Sequence, residues 1–184
     1  MFGSAISGAQ DFPVTFNLSM VTLRDYELSD IDRLVHLAGN ENVSKFLTGS
    51  FPCPYTRTDA ERWINKGSRL CHAVAKVIEF GGESVGGIGL QPLSGWKQHM
   101  AEVGYWVGEE YWGRGIAPEA LGAITESAFS ELGYKKIFAQ VLGPNETSMR
   151  VLEKCGYRLE GVLEYEVFKS GQFFDVYQYA TYRR

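Results

Sequence analysis

The chain has 184 residues, a formal net charge of −4 and a pI near 5.4. Its length suits one domain around one core, and its acidity argues against a nucleic-acid partner, because a phosphate backbone selects clustered Lys and Arg. No run approaches the roughly 20 apolar residues of a membrane-crossing helix, and the first residues lack the basic and apolar regions of a secretory signal. Residues 1–19 therefore read as a loosely ordered leader, residues 20–184 as a single domain, and the location as cytoplasmic by default, with no membrane partner. Cys53, Cys71 and Cys155 show no disulfide or C-x-x-C spacing, and His36, His72 and His99 are equally scattered. Reduced thiols and no metal site are expected.

In chain order, residues 20–25 (MVTLRD) predict a short strand. Ser29 with Asp32 is a variant capping box, and Ile31, Leu34, Val35 and Ala38 follow at helical spacing up to Gly39. Residues 51–56 (FPCPYT) stay irregular, since proline does not sit inside a helix. Thr58 with Glu61 opens a second helix, with Ala60, Trp63 and Ile64 on its apolar face and an end near Gly67. Residues 71–78 and 84–91 predict a hairpin about Gly81-Gly82. In the next strand Ala101, Val103, Tyr105 and Val107 alternate with Glu102, Gly104 and Trp106, so the two sets face opposite sides. A helix from about Pro118 to Leu132 closes at Gly133, and a strand takes 135–142. A short helix over 146–155 stops at Gly156, and strands at about 159–168 and 173–182 flank a turn at 169–172. Strands followed by β-α-β-α-β-β predict an α+β domain around a mixed sheet.

The most informative stretch is Trp112-Gly113-Arg114-Gly115-Ile116-Ala117-Pro118, between a strand and a helix. A helix start leaves N–H groups unpaired and carries positive partial charge. Glycines let a phosphate approach those donors, and Pro118 suits a first helical turn. The stretch is thus a pyrophosphate cradle or a plain glycine-rich connection. It is neither a Walker loop nor a dinucleotide fingerprint, whose third glycine is replaced by Pro118.

The loop resembles the acetyl-CoA pyrophosphate loop of the GNAT superfamily, Arg/Gln-x-x-Gly-x-Gly/Ala. Trp112 stands at the first position, Gly115 at the fourth and Ala117 at the last. Trp112 departs from that pattern, but AEVGYWVGEEYWGRGIAPEAL (101–121) is similar to the RimJ/RimL-type N-terminal acetyltransferases. The likeness continues through Asn145–Ser148, VLEKCGYRLEGVL (151–163) and Asp175, and reaches back to 22–34 and 54–64. It implies a three-layer fold with a mixed, mostly antiparallel central sheet flanked by helices. It also implies transfer of the acetyl group of acetyl-CoA to a primary amine by direct attack in a ternary complex.

Under that resemblance, the backbone of Trp106, Val107 and Gly108 pairs with the pantetheine amides, an adjoining N–H serves the thioester oxygen, and Trp112 to Ala117 hold the pyrophosphate. Asn145 contacts the pantetheine arm and also fits a helix N-cap, while Arg150 or Lys154 reaches the 3′-phosphate. Glu102, on the strand that the family opens for the thioester, is the candidate general base, acting directly or through water. A carboxylate beside aromatic surface has its pKa raised. Its structural alternative is an ordinary salt-bridged glutamate. Glu109 and Glu110 read as solvated or helix-terminal charges. The family's usual tyrosine acid is replaced by Leu152, and Tyr157 reads as core, so the resemblance leaves Ser148 as proton donor to the thiolate. A serine inside a helix otherwise bonds back to a carbonyl.

An α-amine has a pKa of about 7.7–8.0, against about 10.4 for lysine, so freeing lysine at pH 7 costs roughly 3–4 kcal/mol more. One glutamate base therefore suits a protein N-terminus. Alternatives are a small-molecule amine such as a polyamine or antibiotic, or a non-catalytic acetyl-CoA-binding module. The loop 39–58 and the last hairpin, with Phe51, Tyr55 and Phe173, are the candidate acceptor walls. Exposed strand edges leave monomer and homodimer both open.

Overall fold

A computed structural model of the chain describes residues 20–47, 51–69 and 74–183; the expected leader and the start of the strand expected at 71–78 lie outside them. The strands are β1 (Val21–Arg24), β2 (Val74–Phe80), β3 (Glu83–Pro92), β4 (Met100–Val107), β5 (Lys136–Leu142), β6 (Arg158–Lys169) and β7 (Gln172–Tyr182). The helices are α1 (Ile31–Ala38), α2 (Glu41–Ser44), α3 (Arg57–Asn65), α4 (Ile116–Ser130) and α5 (Glu146–Lys154). The seven strands form one sheet in the order β1-β2-β3-β4-β5-β7-β6, antiparallel except for β4 beside β5.

The predicted elements are present, and their starts differ for identifiable reasons. A 3-10 turn, Leu28–Asp30, leads into α1, and Asp30 rather than Asp32 accepts the Glu27 N–H at 2.8 Å. Asp30 is chosen because it is buried against Arg24, whose two guanidinium nitrogens donate to it at 2.9 and 2.8 Å. The capping box of α3 is Thr56 with Asp59 rather than Thr58 with Glu61. The helix starts as soon as Pro54 is passed, and Glu61 turns outward to Arg57 at 3.2 Å. The sequence reading missed α2, a single turn capped by Asn40, whose Oδ1 accepts from the Asn42 N–H.

One apolar cluster joins the sheet to α4 and α5 through Val103, Val107, Leu121, Ile124, Leu152 and Tyr157. A second joins the other face to α1 and α3 through Leu34, Ala60, Ile64, Val77 and Trp106. Both faces are covered, as a three-layer arrangement requires. Tyr157 is buried, and its hydroxyl lies 2.7 Å from Thr125 Oγ1. Leu152 is fully buried, so the position that carries a tyrosine acid elsewhere in the resembling superfamily is filled here with core.

Candidate active site

β4 pairs with β3 along seven residues but with β5 only at Met100, Ala101 and Glu102. Beyond Glu102 the two neighbours part, and a wedge opens in the middle of the sheet. The Gly108 N–H donates to the Val85 carbonyl at 2.9 Å. Since main-chain groups alternate along a strand, those of residues 102, 104 and 106 also point to β3, and those of Val103, Tyr105 and Val107 face the wedge. Trp106 and Gly108 thus have β3 as main-chain partner, whereas Val107 lies on the open edge. The Val107 carbonyl is capped there by the Trp112 indole N–H at 2.7 Å.

Downstream, Gly113 and Gly115 adopt φ of 76° and 80°, the left-handed region that favours glycine. Nothing lies within 4 Å of a Cβ built at either position; positive φ, rather than tight packing, is what calls for glycine. Gly115 caps α4, and among the described residues the N–H groups of Gly115, Ile116 and Ala117 have no protein acceptor. This donor set fits a pyrophosphate. Arg114 folds back, donating to the Glu110 carbonyl at 3.1 Å and lying over the Tyr111 ring. The thiol of Cys155, which burial keeps protonated, donates to the Pro118 carbonyl at 3.3 Å and ties the end of α5 to the start of α4.

Across the wedge, Asn145 caps α5 by accepting the Ser148 N–H at 3.2 Å. This leaves the Asn145 amide nitrogen for a ligand. Ser148 does not bond back into its helix; its Oγ lies 2.9 Å from the Tyr105 hydroxyl. Burial pushes the Tyr105 phenol up to about 12, so it keeps its proton at neutral pH. Lys154 is exposed, and Arg150 pairs with Glu146 at 2.9 Å. Tyr105 was legible only as a strand residue, because its partner lies 43 positions away.

On the opposite face of β4, Glu102, Gly104 and Trp106 line a cavity of about 790 Å³ against α1 and α3. Tyr26, Phe51, Tyr55 and Trp63 form its walls. Glu102 is half-buried, has no hydrogen-bond or ion-pair partner among the described residues, and burial raises its carboxyl above the usual range. Glu102 and Ser148 therefore approach the wedge from opposite sides of one strand. Phe173 stands apart, lining a separate pocket of about 540 Å³ with Tyr165, Asp175 and Tyr177.

Two side chains hold α2 beside this site. The Glu109 carboxylate accepts from Asn40 Nδ2 at 2.7 Å and Asn42 Nδ2 at 2.9 Å, which lowers its pKa; Glu110 pairs with Arg33 at 3.1 Å. Neither is a free surface charge. At the other end of α2, Lys169 Nζ donates to the carbonyls of Ser44, Lys45 and Leu47 at 3.1, 2.9 and 2.7 Å. Paired asparagines and a hairpin lysine carry no motif, so the sequence reading passed over both.

Residues 20–158 match the acetyltransferase (GNAT) domain family. The chain belongs to the GNAT family. It is an acetyl-CoA-dependent N-acetyltransferase. Its sequence is 29% identical over 177 residues to the uncharacterized N-acetyltransferase p20 of Bacillus licheniformis, covering 92% of this chain and 97% of that one. A 98-residue stretch is 37% identical to the uncharacterized N-acetyltransferase YoaA of Bacillus subtilis, spanning 53% of this chain and 55% of the relative. The fold is similar to RimL, a ribosomal L7/L12 alpha-N-protein acetyltransferase, with TM-score 0.79, 21% identity and coverage of 89% and 94%. It is also similar to spermidine N-acetyltransferase from Vibrio cholerae, with TM-score 0.76, 24% identity and coverage of 89% and 95%. In this GNAT chain the wedge, the donor loop and the cavity adjoin along β4. Among the described residues, no group of three or more His, Cys, Asp or Glu is placed to hold a metal.

Proposed function

We propose that this GNAT enzyme acetylates a primary amine of low pKa, first of all a protein N-terminal α-amine, by direct attack. The observation that carries the reading is Glu102: a partnerless, half-buried carboxylate where β4 leaves β5, between the acceptor cavity and the wedge. Bound acetyl-CoA supplies the acetyl thioester. The free N–H groups of Gly115 to Ala117 hold its pyrophosphate, with Trp112, Gly113 and Arg114 shaping their loop. The open main-chain edge at Val103, Tyr105 and Val107 takes the amide arm, with Asn145 opposite, and Lys154 is available to the 3′-phosphate.

Glu102 takes the ammonium proton, directly or through water, and its raised pKa brings it nearer to the amine it must deprotonate. On the other side, Tyr105 keeps its proton, and in the productive arrangement its hydroxyl donates to the Ser148 carbonyl or Oγ. That leaves the serine O–H for the departing sulfur. A single carboxylate base is matched to an α-amine better than to lysine, whose deprotonation costs roughly 3–4 kcal/mol more at pH 7. RimL, a ribosomal L7/L12 alpha-N-protein acetyltransferase, takes an acceptor of this kind. A small-molecule amine is the second reading, favoured by a cavity of about 790 Å³, within the range of about 300–1,000 Å³ usual for small ligands.

The test is acetyl transfer from acetyl-CoA to peptides with free N-termini, to Nα-blocked lysine and to small amines, with products weighed by mass spectrometry. Faster turnover of free N-termini, lost in Glu102→Gln, is expected. An unchanged kcat/KM in Glu102→Gln overturns Glu102 as base, and preference for blocked lysine overturns the α-amine.

A further inference from the structure

The acceptor cavity carries one kind of charge on β4 and the other on α3. On β4 stands Glu102, without a partner. Much of the wall is aromatic: Phe51 stacks on Tyr55 at 5.0 Å and meets Trp106 edge-on at 6.4 Å, and Tyr26 meets Trp63 edge-on at 6.0 Å. Where α3 finishes, Arg62 and Lys66 also line it.

The other carboxylate of the lining, Asp59, is already engaged. Its Oδ2 accepts from the Thr56 N–H at 3.0 Å and from the Thr56 hydroxyl at 2.6 Å, and its Oδ1 lies 3.6 Å from Arg62. Lys66 has no partner among the described residues. One carboxylate is therefore free for a cation, and one lysine is free for an anion.

A polyamine needs a carboxylate for each ammonium it brings out of water, since a buried charge without a counter-charge is costly. Here one ammonium finds Glu102, and for the next the lining offers rings, the engaged Asp59 and two cations. We propose that the acceptor is dipolar: one amine at Glu102, an aromatic or branched aliphatic body among the rings, and an anionic group towards Lys66. Aromatic or aliphatic α-amines with a nearby carboxylate have this form, either as free amino acids or as a peptide's first residue followed by an acidic one. The inference rests on the Glu102 site being the acceptor site of an acetyltransferase.

The test is calorimetric titration of CoA-saturated protein with L-phenylalanine, Phe-Glu amide, 2-phenylethylamine and spermidine. At least one of the first two binds about fivefold more tightly than 2-phenylethylamine, the upper end for a partly exposed ion pair. Spermidine binds most weakly. Lys66→Glu abolishes that preference while acetyl-CoA still binds, which shows the variant is folded. Whichever of the two dipolar probes binds more tightly identifies the source of the anion. Spermidine binding as tightly as these probes, or a preference unchanged in Lys66→Glu, overturns the proposal. Turnover is followed in parallel: dipolar probes that bind in this order without being acetylated leave the dipolar site standing and refute catalysis at Glu102.

Discussion

The two working surfaces of β4 are built from different materials. On its open edge and in the loop beyond, the useful groups belong to the main chain: free N–H groups at the start of α4, held by two glycines with positive φ. On the face towards α1 and α3, they are side chains brought from separate segments, with Glu102 among rings from the turn after β1, from α3 and from the stretch before it. A main-chain site tolerates change wherever the backbone path survives, whereas a side-chain site is remade by single substitutions. On the proposed reading, the first holds a constant ligand and the second decides what the enzyme acts on.

The sharpest way to separate the two surfaces is Glu102→Gln. Loss of a general base lowers kcat/KM by about 10²–10⁴-fold, with acetyl-CoA affinity unchanged by calorimetry. Burial raises the Glu102 carboxyl above its unfolded value, so the folded state holds the proton more tightly. That contribution favours folding below the unfolded pKa of about 4.3 and disappears as pH rises through the raised value. At neutral pH the ionised carboxylate therefore costs stability. Glu102→Gln should melt no lower than the wild type at pH 7, a result checked by calorimetric Tm. For the same reason the acid limb of the wild-type pH–rate profile should lie above the ordinary glutamate range.

Gly115→Asp attacks the main-chain surface. A side chain at φ 80° is strained and its carboxylate faces an anion; acetyl-CoA affinity should fall by about a hundredfold or more, read by calorimetry. Ser148→Ala tests the far side of the wedge, with kcat expected to fall by about a hundredfold, the low end for a proton donor. Tyr105→Phe, which spares the serine, should lose about tenfold or less. Pre-steady-state thiol release would locate both effects in the chemical step. The smallest change belongs to Lys169→Met. Freeing the α2 carbonyls should raise the acceptor KM by about three- to tenfold, on the scale of about 1 kcal/mol for a hydrogen-bond network, while KM for acetyl-CoA stays put.

The same division explains what was legible in the sequence. The β4 alternation, the Gly113–Gly115 loop and the caps Asn145 and Gly156 are written locally, because main-chain geometry selects glycine, proline and cap residues within a few positions. The capping boxes ahead of α1 and α3 lie two residues before the expected Ser29–Asp32 and Thr58–Glu61, since the choice between neighbouring acids depends on Arg24 and on where Pro54 ends. Pairs such as Tyr105 with Ser148, Glu109 with Asn40 and Lys169 with Leu47 join residues 43, 69 and 122 positions apart. No local pattern announces them.

The Trp112 indole on the Val107 carbonyl also makes β4 a ruler. It closes the open edge at a fixed point, and from Val107 to Glu102 the strand runs five steps, roughly 17 Å at about 3.3 Å each. An acyl carrier anchored at the start of α4 must have an arm of that reach to deliver its carbonyl beside Glu102. Clipped thioesters that keep the reactive end and lose the anchor would slide along this edge without a stop. On the proposed reading, selectivity for the full-length carrier is set by length as much as by charge.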